Sequence, residues 1–162
     1  MAFKAFLEAL QASPLGLAVS GETWLFPTIE TIHVFALVTV AGTILIVDLR
    51  LLGLASKDRP LTAISKEYLP WTWGAFALAA LSGSLLFISR AADYVDIPAF
   101  PTKFAFMALA GLNMLVFHFM TYKSVAAWDR GEPATGAKVA GGLSLLFWAL
   151  VILFGRKVGF SL

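Results

Sequence analysis

The sequence predicts an all-α membrane protein: a four-transmembrane-helix up-down bundle preceded by an amphipathic interfacial helix. Three observations carry this. The 162 residues are 59% hydrophobic and only 14% charged, with a mean hydropathy of +0.83. A soluble domain is nearer half apolar and about a quarter charged. The apolar residues gather into four long runs, and the connections between the runs are short. Helices satisfy every backbone group inside lipid, which open strands cannot do. The chain reads as one membrane domain over residues 1–162.

Residues 2–12 open the chain with Phe3, Phe6, Leu7 and Leu10 on one side and Lys4, Glu8 and Gln11 on the other. That pattern predicts a short helix lying in the interface plane, ended by Pro14 and Gly16. Lys4 and the Ala18-Val19-Ser20 stretch sketch a signal peptide. Glu8, Gln11 and Pro14 interrupt its apolar core, so no removable segment is expected.

The first span is predicted at about 24–50, with Pro27 accommodated in its first turn. The second is predicted at about 69–89, the third at about 103–123 and the fourth at about 138–156. A helix crosses the hydrocarbon core with roughly 17–25 residues. The intervening loops carry most of the charges and prolines, including Lys57-Asp58-Arg59-Pro60, Pro98, Pro101, Asp129-Arg130-Gly131 and Pro133. Such short connections make successive helices antiparallel. Trp24, Trp71, Trp73 and Trp128 fall near span ends, as an aromatic belt would.

Seven cations flank the first and third loops: Arg50, Lys57, Arg59, Lys66, Lys123, Arg130 and Lys138. Five lie on the other side: Lys4, Arg90, Lys103, Arg156 and Lys157. By the positive-inside rule both termini face outward, into the periplasm if the membrane is a bacterial inner membrane. The pI near 9.0 follows from this loop excess and calls for no nucleic-acid partner.

The absence of cysteine removes disulfides, thiolate metal sites, iron–sulfur clusters and thioether haem attachment. No nucleophile–base motif, phosphate-binding glycine loop or HExxH zinc motif is present. What remains are two histidines, His33 and His118, both inside predicted spans. Ionisable groups at that depth are costly and usually face a bundle interior, so each is a candidate site residue. Glu30 and His33 share a face of the first span, and Met107, Gly111, Met114 and His118 share a face of the third.

Haem b between the first and third spans fits this inventory. Imidazole and thioether are axial ligands for haem iron, and Gly111 offers room for a flat ring. Residue type favours His33 with His118. Depth favours a different pair. If the spans begin near Leu25 and Phe104, His33 lies about 12 Å deep, Met114 about 15 Å and His118 about 21 Å. Glu30 is placed to accept the second ring proton of His33, or to handle protons itself. Arg90 and Lys103 are placed to meet haem propionates. Asp48 and Arg50 read as an end-of-span acid and a snorkelling cation, pointing to different helix faces.

Two other readings stay open. The small-residue stripe of Ala75, Ala79 and Ser82-Gly83-Ser84, with Gly141 and Gly142, suits close helix approach. It fits a cofactor-free accessory or assembly subunit, including a homo-oligomer. Alternatively, His33, Met107, Met114 and His118 suit a copper or proton transporter, since soft thioether and imidazole ligands bind Cu(I).

The run Glu30-Thr31-Ile32-His33 leading to Asp48-Leu49-Arg50-Leu51-Leu52-Gly53 resembles a family of small, uncharacterised bacterial four-helix inner-membrane proteins, over essentially the whole chain. In more remote architecture the chain is similar to four-helix b-type cytochromes and to the membrane half of copper-resistance D proteins. That similarity implies haem b or copper, and electron transfer between quinone and a redox partner protein. The di-haem cytochromes use four histidines. Two histidines allow at most one bis-histidine haem per subunit.

Overall fold

A computed structural model describes residues 2–161, and they are almost entirely helical, with no strand among them. Four helices are long and apolar enough to cross a membrane: α3 (Leu25–Leu51), α4 (Leu61–Ser89), α6 (Ala99–Val116) with its continuation to Ala127, and α7 (Thr135–Phe160). Three shorter helices complete the chain: α1 (Ala2–Gln11), α2 (Pro14–Gly21) and α5 (Ala91–Val95). The protein is a multi-pass, all-α membrane bundle, as the hydropathy predicts.

The interfacial helix forms as expected, with Leu7 its buried residue. Pro14 and Gly16 do not simply end it. Pro14 occupies the first turn of α2, where its missing N–H costs nothing. Ser13 caps that turn by accepting from the Gly16 N–H at 3.2 Å. The pair α1–α2 is tied to α5 by Lys4 on Asp96 at 2.9 Å and by the Ala92 N–H donating to Gln11 Oε1 at 3.0 Å.

The long helices do not close into a symmetric ring. α3 packs against both α4 and α7, and α6 packs chiefly against α7. Small residues permit the closest contacts. A Cβ on Gly141 of α7 would stand 3.0 Å from the main-chain oxygen of Asp48 and 3.0 Å from Leu51 Cβ. The order of contact therefore makes α3 the helix that both neighbours share.

Two apolar clusters lie at the end of the bundle that holds the termini. One joins Val19, Ile29 and Leu86; the other joins Tyr94, Ile97, Ala99 and Val158. A third cluster, Leu51, Leu61, Trp128 and Ala137, lies at the opposite end under the first and third loops. Trp24, Trp71 and Trp73 are exposed, as belt residues would be. Trp128 is buried in the third cluster, with its Nε1 donating to Ser124.

Element boundaries differ from expectation mainly at the loops. α4 starts at Leu61, eight residues before its apolar run, because groups from the third loop cap it. The second loop holds α5, and α6 begins at Ala99. Past Val116, α6 loosens into a π-helical turn at Phe117–Thr121 and a 3-10 segment at Tyr122–Ala127. Gly53, at φ 71°, ends α3 in a conformation that suits glycine.

Candidate functional site

His33 lies on α3 one turn below Ile29, and its half-buried imidazole sits in a notch of α4. Its Nδ1 is 3.0 Å from Ser82 Oγ. The single Ser82 proton is directed to the Leu78 carbonyl at 2.7 Å. Ser82 Oγ therefore accepts from His33 Nδ1–H, and Nε2 keeps its lone pair. The notch exists because residue 83 is glycine: a Cβ there would lie 2.9 Å from His33 Cε1.

The expected partner of His33 is thus replaced. Glu30 is exposed, and Ser82 holds Nδ1 in its place. Glu30 and Lys103 are the charged side chains within electrostatic range of the ring. Lys103 is half-buried at the start of α6, with its ammonium 4.7 Å from the Phe100 ring centroid and 5.2 Å from that of Phe104. Arg90 is exposed at the end of α4, 6.0 Å from the Phe26 ring centroid.

His118 is somewhere else. It is exposed, within the π-helical turn of α6. Its Nδ1 is 3.2 Å from the Met114 carbonyl, and its ring stacks on Tyr122 at 5.3 Å. Relative levels follow from packing. Ile29 packs with Leu86, and the adjacent Phe87 stacks on Phe100 at 5.5 Å, so Ile29 and Phe100 share a level. At 1.5 Å per residue, His33 lies about 6 Å deeper and His118 about 27 Å deeper. The two imidazoles are then about 21 Å apart in depth, and Met114 is about 15 Å from the level of His33.

The packing sets His33 and His118, and likewise His33 and Met114, at different levels of the bundle, so neither expected pair is brought together within the chain. The mismatch grows beyond the sequence expectation because packing sets Phe100 level with Ile29, whereas the apolar runs set Phe104 level with Leu25. Met107 is the α6 thioether nearest the level of His33, within about 5 Å. Gly111 is half-buried, and a Cβ on it would meet nothing within 4 Å. No group of three or more His, Asp or Glu side chains converges as a metal site among the described residues.

The second polar assembly was not expected. Arg50 is 1% exposed, the largest of the fully buried side chains among the described residues, and does not snorkel. Its Nε donates to the Arg59 carbonyl at 3.0 Å, and its Nη2 to the carbonyls of Asp129 at 2.9 Å and Gly131 at 3.4 Å. It staples the first loop to the third. Asp129 also accepts the Thr62 N–H at 2.9 Å and the Thr62 hydroxyl at 2.7 Å, which caps α4. Burial of the Asp129 carboxyl works against its charge. The Thr62 bonds and the nearby Arg130 and Arg50 outweigh this and hold it below the usual carboxylate range.

Asp48, two residues before Arg50, is 4% exposed and faces Ser144 of α7. Its Oδ2 has no hydrogen-bond partner. The sequence signal for both residues was their charge inside an apolar span. Arg50 meets loop carbonyls 9 to 81 residues away in sequence, and Asp48 meets α7, so neither set of partners is local. Comparison with family models, curated proteins and solved structures finds no match.

Proposed function

We propose that the protein is an accessory subunit of a membrane complex, assembling through the outer face of α6. The proposal places it in a bacterial inner membrane with both termini outside. The observation that carries this reading is His118, a titratable side chain exposed on the least covered long helix, where Ala99 and Ala110 are the buried residues of Ala99–Val116. Lipid is a poor partner for such a group, and a neighbouring helix is a better one. The open notch at Gly111 lies seven residues earlier, on the same side of the helix, and admits close backbone approach. Purification from the native membrane in mild detergent tests it. The expected result is a fixed-stoichiometry complex that Gly111→Trp and His118→Leu disrupt without loss of the folded chain. A free monomer, or a complex indifferent to both substitutions, overturns it.

A second reading keeps the redox chemistry and changes its ligands. His33 Nε2 retains its lone pair, Met107 lies near its level, and the Lys103 charge is within range. Those groups would hold haem b or copper between α3 and α6, with a quinone and a redox protein as partners. The chemistry would be the cofactor's, with the protein setting ligation and charge. Absorption spectra of oxidised and reduced protein, with elemental analysis, test it. A Soret band or stoichiometric copper lost in His33→Ala and Met107→Leu, and kept in His118→Ala, supports it. Colourless, metal-free protein after expression with haem and copper supplied rejects it.

A further inference from the structure

Among the described residues the Asp48 carboxyl is the one acid enclosed between long helices, and neither reading above uses it. It sits at the close contact between α3 and α7, at the level of Gly141. Ser144 is the hydroxyl that faces it, and Oδ2 is left without a partner. The charged groups around it are committed elsewhere. On α3, Arg50 is turned to the carbonyls of Arg59, Asp129 and Gly131. On α7, Lys138 is bound to Glu132 at 2.7 Å. In the first loop, Arg59 is bound to Glu67 of α4. On α6, the amide of Asn113 is spent on the Ala140 carbonyl at 2.9 Å. Among the described residues no cation is left to balance a carboxylate at this place.

An ionised carboxylate without a counter-charge or a full set of donors is very costly in a medium this apolar. The neutral acid has no charge to balance and leaves far less to compensate. We propose that Asp48 is a membrane-embedded proton-binding site, occupied in this fold, that exchanges its proton through the end of the bundle closed by Arg50. The route follows from position. Asp48 is about 4.5 Å, just under one turn, from the end of α3 at Leu51. The Arg50-bound loop segments cover that end. Losing the proton would leave a charge at the Asp48–Gly141 contact and require water or a cation there, so the α3–α7 seam would have to open.

Infrared difference spectroscopy of the full chain, in an ester-free detergent, tests this. The expected result is a protonated-carboxyl C=O band at neutral pH that shifts in D2O, moves on 13C labelling of aspartate, and is lost in Asp48→Asn. The band should exchange faster in Arg50→Ala, because the covering loops are released. If Asp48→Asn does not fold, Asp48→Glu serves instead, and the band should move to the position of a protonated glutamate. Absence of a labelled-aspartate band at neutral pH, or a band unchanged in the Asp48 variants, overturns the proposal. So does equal exchange with and without Arg50.

Discussion

Arg50 donates from Nη2 to the main-chain oxygen of Asp129 at 2.9 Å, and the same oxygen accepts the Leu61 N–H at 3.1 Å. One carbonyl thereby joins the end of α3, the third loop and the start of α4. Both of its lone pairs are used, so the three elements cannot shift independently.

Arg50→Met is expected to destabilise the protein by about 3 kcal/mol or more, because buried carbonyls lose a charged donor and gain none. Arg50→Lys should recover little, since a single ammonium cannot reproduce the forked geometry. Thermal unfolding in detergent measures the loss. Limited proteolysis should show it first in residues 54–60 and 128–134.

Asp129→Ala should cost about 1 kcal/mol through loss of the cap on α4. Its pH dependence has a defined sign. The folded carboxyl titrates below its unfolded value, which is about 3.9. The stabilisation is therefore fully present above about pH 4 and lost as pH falls through the lower folded value. Asp129→Asn should flatten the acid limb of the stability profile. An unchanged limb would remove Asp129 from that role.

Gly83→Ala and Gly141→Ala are expected to cost about 1–3 kcal/mol each by overpacking. At Gly83 the added methyl meets the His33 ring at 2.9 Å, and at Gly141 it meets the α3 backbone at 3.0 Å. Gly83→Ala combined with His33→Ala should be milder than the sum of the two, because the ring that blocks the methyl is gone. A double-mutant cycle reads that coupling.

The histidines should separate cleanly. His33→Ala is expected to cost about 1–2 kcal/mol by removing the tie to Ser82. His118→Ala should stay within about 0.5 kcal/mol in the isolated chain, as an exposed substitution does. Equal losses would contradict the different environments of the two rings.

Much of the fold was legible in the chain because its signals are local. Four apolar runs, a period near 3.6 in residues 2–12 and short polar connections place the helices without knowledge of their neighbours. Ser82-Gly83 was also legible as a close-approach stripe, and His33 now fills the notch it makes. The opening of α4 was not legible, because its cap comes from Asp129, 67 residues later. Pro14 misled for a simpler reason: a proline that stops one helix also suits the first turn of the next.

The sequence by itself determined that this is a membrane protein of four spanning helices, and that Glu30, His33, Asp48, Arg50 and His118 are among its ionisable residues in or at the apolar layer. Hydropathy and composition suffice for that, since burying backbone in lipid leaves a chain of this kind one solution. Only the tertiary structure decided what those residues meet. The registry of α6 against α3 separates the two histidines by about 21 Å in depth. The folding of two loops over one end turns Arg50 inward. The close contact of α7 leaves Asp48 enclosed with an unpartnered oxygen. Each outcome depends on the relative shift of helices and loops, and no local pattern in the chain encodes that shift.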